Sequence, residues 1–193
     1  YKKNDFLDIG FDNLKIKIVK IYPKRINCKI VTGGLLENNK GIHLVNRNIK
    51  LNYITEKDKR AIDIAKKMDI KHYALSFTNS HKDIVKFNKL LQDKIKIFKI
   101  ETKNAVKNLN KILSGGKKFL IDRGDLSKDV SIEILPTVQR KVLKLARIKK
   151  KEIYVAANFL ESMIKNNYPT KGEANDIYNT LEMGAVGIVL AAE

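Results

Sequence analysis

Apolar and polar residues alternate along LKIKIVKI (14–21) and INCKIVTGG (26–34). A period of two sets one face of a β-strand against a core and turns the other to water. YPKR (22–25) places a turn proline between the two runs, and Gly33-Gly34 closes the second. Two half-buried antiparallel strands are predicted here. Past about residue 50 the rhythm changes. TEKDKRAIDIAKKMD (55–69) opens with a threonine cap and acids in its first turn, then spaces its apolar residues as a helix does. HYALSF (72–77) reads as a strand, SHKDIVKFNKLLQD (80–93) as a serine-capped helix, and KIKIFKIE (94–101) as a strand. The alternation continues with a helix over 104–113, a strand over 117–122, a helix over 136–150 with proline in its first turn, and a strand over 152–157. A helix over 172–184 and a strand over 185–192 end it.

Strands alternating with helices predict βα units on a parallel sheet. Units of this length suit a doubly wound sheet or part of an eight-stranded barrel. No Gly-x-Gly-x-x-Gly turn and no Walker-type loop follows any strand, so the α/β barrel is the expected fold.

Composition narrows the function classes. A formal charge of +18 suggests phosphate-rich partners, but only six of the 39 basic residues are arginine. The lysines are scattered among asparagine and isoleucine, without the clustered arginines and interleaved aromatics of a nucleic-acid site, so nucleic acid is not an expected partner. The single cysteine, Cys28, excludes an internal disulfide and suits a reducing compartment; it is expected to be an inert buried thiol in its strand. No apolar run approaches the roughly 20 residues of a membrane-spanning helix.

In a βα barrel the chemistry sits at the carboxyl ends of the strands. Those ends carry Ser76, then Lys99 and Glu101, then Asp122 and Asp125, then Ala157 and Asn158, then Glu193. Lys99 and Glu101 are two apart and share a face. Glu101 and Asp125, from neighbouring strands and without histidine beside them, suit a hard, oxygen-loving cation such as Mg²⁺ or Mn²⁺. The plainer alternatives are a frayed surface ion pair at Lys99 and Glu101 and a helix-capping role for Asp125.

IETKNAVKNLNKIL, FLIDRGDLSKDVSIEILPTVQRKVL and YVAANFLESMIKNNYPTKGEANDIYNTLEMGAVGIVLAAE resemble pyruvate kinase in order and spacing, as do TGGLLENNKG (32–41), EKD (56–58) and ALSF (74–77). The resemblance runs almost end to end. It implies that residues 1–45 are the carboxyl-terminal part of a small β-barrel lid domain, and that 46–193 supply strands four to eight of a phosphoenolpyruvate/pyruvate-type catalytic TIM (β/α)8 barrel. It further implies phosphoryl transfer from phosphoenolpyruvate to ADP, giving pyruvate and ATP, in cytoplasmic glycolysis. Lys99 would neutralise the transferring phosphoryl group, and Glu101 and Asp125 would hold Mg²⁺ or Mn²⁺. The backbone of Arg123-Gly124-Asp125 would hold the substrate carboxylate, with Ala157 beside the enolate carbon, and Lys40 would lie near the nucleotide phosphates. Asp122 would be structural. K⁺ is implied, with its site outside this chain, as is a homo-oligomer, a tetramer in the family.

The chain departs from the family pattern at several places. Ala157 stands for a threonine on the route that protonates the enolate, and an alanine neither donates nor relays a proton. His43, Val45 and Asn46 replace the family's Asn, Pro and Gly in the closing segment of the lid. Asn79 stands for an arginine, Ala191 for a serine, and the family's final Gly-Glu reads Ala192-Glu193. Two alternatives follow: a metal-dependent lyase or aldolase acting on pyruvate-like oxoacids, and a catalytically degenerate homologue kept for binding or regulation. Five strands of eight leave two sheet edges, so the chain is expected to be part of a longer polypeptide.

Overall fold

The computed structural model describes residues 1–10, 14–45 and 54–190, in two compact units, Tyr1–Asn52 and Tyr53–Glu193. The expectations for Asn46, Ala191, Ala192 and Glu193 lie outside the described residues.

The first unit is a four-stranded antiparallel sheet in the order β3-β2-β1-β4, from β1 (Phe6–Ile9), β2 (Leu14–Ile21), β3 (Ile26–Thr32) and β4 (Ile42–Leu44). The two predicted strands are β2 and β3; β1 and β4, of four and three residues, are too short to show a period. Leu7, Ile18 and Leu44 form a small core with Ile16 against it. Every residue of β3 is exposed. This edge strand pairs with β2 alone among the described residues, so the expected burial of one face fails there, and Cys28 is exposed rather than buried.

The second unit carries a parallel sheet in the order β5-β6-β7-β8-β9. Its strands are β5 (His72–Leu75), β6 (Ile95–Ile100), β7 (Lys118–Asp122), β8 (Glu152–Ala156) and β9 (Gly187–Val189). Strictly sequential order lacks the reversal at which a doubly wound sheet binds its ligands. The helices between are α1 (Glu56–Lys67), α2 (His81–Leu90), α3 (Lys103–Lys107), α4 (Leu109–Gly115), α5 (Arg123–Asp129), α6 (Leu135–Ile148) and α7 (Lys171–Glu182).

Local chemistry sets the helix ends. Thr55 and Asp58 form a capping box at the start of α1, and Thr170 and Glu173 another at α7. The single helix expected over 104–113 is two, because Asn108 closes α3 and opens α4 while its amide donates to the Asn79 carbonyl at 2.9 Å. Asparagine competes in this way with the helix's own hydrogen bonds.

Alternate strand residues make the core. Phe98 and Ile100 of β6, Phe119 and Ile121 of β7, and Ile153 and Val155 of β8 are fully buried in one cluster with Ile84 and Phe87 of α2, Ile112 and Leu113 of α4, and Val142 and Leu143 of α6. Phe98 sits between Phe87 and Phe119, with ring centroids 6.0 and 5.8 Å away. Gly116, just after α4, faces these rings: a Cβ there would lie 2.7 Å from the Phe98 ring and 2.9 Å from that of Phe119. The intervening strand positions, Lys99 among them, point to the opposite face. Among the described residues, no helix is long and apolar enough to cross a membrane.

Candidate metal centre

Because β6, β7 and β8 are parallel, their carboxyl ends share one edge, and the register aligns Lys99 with Leu120 and Asp122 with Ala156. Lys99 and Glu101 leave β6 on the same face, and the Lys99 ammonium lies 2.5 Å from Glu101 Oε1 and 2.9 Å from Asp122 Oδ2. Asp125 stands in the first turn of α5 and pairs with Lys128 one turn on. One oxygen each from Glu101, Asp122 and Asp125 can be chosen so that all lie within 4.8 Å of one another.

Glu101 is the anchor, 1% exposed. Its Oε2 accepts the Phe77 N–H at 2.5 Å, and Phe77 reaches that position in the left-handed region, with φ 52°. Its Oε1 accepts no hydrogen bond of acceptable geometry despite the close ammonium. Burial, reinforced by the neighbouring Asp125 charge, pushes the Glu101 carboxyl above the ordinary carboxylate range, against the pull of Lys99 and the Phe77 amide. For Lys99, burial works to lower the pKa, but the neighbouring Glu101 and Asp122 carboxylates outweigh it, so the ammonium is held more firmly than usual.

The Arg-Gly-Asp turn is built by Asp122 and Arg123. Asp122 caps α5, accepting the Asp125 N–H at 3.3 Å, so it is Asp122 that fills the capping role considered for Asp125. The Arg123 side chain finds its partners in the loop after β8 and in α7. Its Nε and Nη2 donate to the Ala157 carbonyl at 2.9 and 2.6 Å, its Nη1 meets Asp176 Oδ2 at 2.7 Å, and its guanidinium lies 3.9 Å from the Phe159 ring centroid. The arginine therefore binds the loop after β8 to the turn after β7. Ala157 adopts φ 71°, and its methyl would be 3.7 Å from a Cβ at Gly124.

Of the residues singled out in the sequence, Lys99, Glu101 and Asp125 lie at one carboxylate cluster, and Arg123 joins Gly124 to Ala157. Lys40 belongs to the first unit, where it pairs with Glu37 at 2.6 Å. Asp122, which the resemblance implies is structural, joins the cluster as well as capping α5.

The residues fit a hard divalent cation. All three donors are carboxylates, and one buried oxygen lacks a hydrogen bond. Oxygens on opposite sides of such an ion, each about 2.0–2.6 Å from it, are about 4–5 Å apart, the span of this cluster.

A sequence profile described as "Pyruvate kinase, barrel domain" matches residues 4–193. The chain belongs to the pyruvate kinase family. It is 30% identical to the pyruvate kinase of Thermotoga maritima and 32% identical to that of Corynebacterium glutamicum, each over its whole length. It is 29% identical to the pyruvate kinase of Thermococcus litoralis over 99% of its length. It spans about two fifths of these pyruvate kinases: 42% of the Thermotoga protein and 41% of each of the others. Its parallel α/β sheet is consistent with the barrel domain of the pyruvate kinase family.

Proposed function

We propose that the chain is the metal-binding part of a pyruvate kinase-type phosphotransferase, acting on phosphoenolpyruvate and ADP. The observation that supports this most is the meeting of Lys99, Glu101 and Asp125 at the carboxyl edge of a parallel sheet in a member of this family. On this reading the second unit is strands four to eight of an eight-stranded barrel, and the first is part of the lid. The assembled enzyme is an oligomer that works in the cytoplasm.

Phosphoryl transfer depends on positioning and on neutralising charge at oxygens. A divalent cation bound by Glu101 and Asp125, Mg²⁺ or Mn²⁺, supplies positive charge to the phosphoryl and enolate oxygens. Lys99 stands beside that position and neutralises the transferring group; releasing its ammonium from Asp122 lets it follow the phosphate. The backbone of Arg123-Gly124-Asp125 holds the substrate carboxylate, and Arg123 fixes that turn from behind. Ala157 carries a methyl where a proton donor serves the family, so ketonisation draws its proton from water. Lys40, in the first unit, is the residue this reading assigns to the nucleotide phosphates.

Mn²⁺ binding with and without oxalate, an analogue of the pyruvate enolate, tests the reading on the longest polypeptide containing this chain. Oxalate should tighten Mn²⁺ binding, Asp125→Asn should abolish it, and a coupled assay should show divalent-dependent pyruvate formation from phosphoenolpyruvate and ADP. A wild-type protein that binds no Mn²⁺ overturns the proposal. Metal binding with turnover of an oxoacid and no binding of ADP would favour a lyase, the alternative that Ala157 raises.

A further inference from the structure

We infer that Asp122 is a third carboxylate donor of the metal centre, a role beyond capping α5; the inference rests on the metal-binding reading above. Three facts converge on it. Asp122 offers an oxygen within 4.8 Å of those of Glu101 and Asp125. Its two oxygens already divide their work: Oδ1 accepts the Asp125 N–H at 3.3 Å, and Oδ2 faces Lys99 at 2.9 Å on the cluster side. The buried Glu101 Oε1 has no hydrogen bond of acceptable geometry, its near neighbour being the Lys99 ammonium at 2.5 Å that Asp122 shares.

Charge points the same way. Glu101 and Asp125 against the ammonium groups of Lys99 and Lys128 would balance. Asp122 adds a third carboxylate to Glu101 and Asp125, at a half-buried place where charge acts more strongly than in water. Calcium- and magnesium-type sites set their affinity by the number of charged oxygens they present. Glu101 and Asp122 are also the two carboxylates that pair with the Lys99 ammonium, so a cation held by both would compete with the lysine for the same oxygens. Asp122 would thus link metal binding to the freedom of the lysine.

Direct Mn²⁺ titration, following the free ion by electron paramagnetic resonance, separates these roles. Asn and Ser both cap helices well, so Asp122→Asn and Asp122→Ser should keep α5 folded while removing the charge. Both should bind Mn²⁺ about tenfold or more weakly than wild type, as losses around metal centres do. The same weakening should persist when Asp122→Asn is placed in a Lys99→Met background. Wild-type affinity in both single variants, with Asp125→Asn still defective, would overturn the inference and leave the metal site standing. An effect that vanishes in the Lys99→Met background would also overturn it, because Asp122 would then act only through the lysine. Absence of Mn²⁺ binding by the wild type would overturn both readings at once.

Discussion

Arg123 donates two hydrogen bonds to a single carbonyl, that of Ala157, thirty-four residues along the chain. The same guanidinium reaches Asp176 of α7, so one buried side chain holds the turn after β7, the loop after β8 and a helix beyond. Ala157 and Asn158 both have positive φ, 71° and 58°, and this clamp helps to hold the loop in that uncommon conformation. Lysine lacks the planar fork that makes these contacts together. Arg123→Lys should therefore lower unfolding free energy by about 2–3 kcal/mol, the worth of charged hydrogen bonds lost from a buried site. Urea denaturation checks this, and a change below about 0.5 kcal/mol, the usual range for surface substitutions, would refute it.

Glu101 should make stability depend on pH in a direction opposite to that of most carboxylates. Its folded pKa is raised by burial, so its contribution to stability is present below the unfolded pKa and is lost as pH rises through the folded value. Without metal, Glu101→Gln should be more stable than wild type at pH 7, and the gap should close on acidification. The Lys99 contribution, also from a raised pKa, is fully present throughout this range because it is lost only as pH rises past its unfolded value, near 10.5, and through its folded one. Denaturation at pH 4 and pH 7 decides the matter: a variant less stable than wild type at pH 7 would contradict the assigned cause.

Gly116→Ala tests the packing of the aromatic core. Its φ of −134° suits any residue, so the substitution carries no left-handed strain. The added methyl instead meets two buried rings closer than van der Waals contact allows. Overpacking of this kind costs about 1–3 kcal/mol. A thermal melt of the variant with an unchanged midpoint would show that Phe98 and Phe119 yield more easily than a close-packed core permits.

Glu173 behaves in the ordinary direction. Hydrogen bonds from the side chain and backbone of Ser162, then from Thr170, hold its carboxyl down to about 2. A depressed pKa gives stability that is present above the unfolded value, near 4.5, and is lost as pH falls towards 2. The stability difference between wild type and Glu173→Gln should therefore shrink over that acid interval and hold steady above it. Titration of unfolding by circular dichroism would expose a difference that fails to shrink.

Most of the α/β alternation was legible because each strand and long helix carries its own period: IKIFKI shows strand alternation, and VQRKVLKLA shows helical spacing. Lys99 and Glu101 were visible for the same reason, since a spacing of two on a strand fixes a shared face. What escaped depended on partners distant in the chain. FLDI is a strand because it pairs with β2 and with IHL, and IHL because it pairs with FLDI; three or four residues hold no period. The break at Asn108 follows from a carbonyl at Asn79. Asp122 was implied to be structural by the resemblance, whereas its approach to Glu101 depends on the pairing of β6 with β7. The exposure of Cys28 reflects the absence of a second neighbour for β3 among the described residues, which alternation within one strand does not encode.

Sequential strand order has a consequence for how the centre comes into being. Lys99, Glu101, Asp122 and Asp125 all lie on two consecutive βα units whose strands pair directly with each other. Bringing them together requires one crossover and no meeting of distant ends, so little loop-closure entropy stands in the way. The carboxylates are therefore neighbours by birth order as well as by geometry: a ribosome releasing this chain would have emitted the whole cluster by the end of α5, before β8 and the loop that Arg123 clamps had emerged.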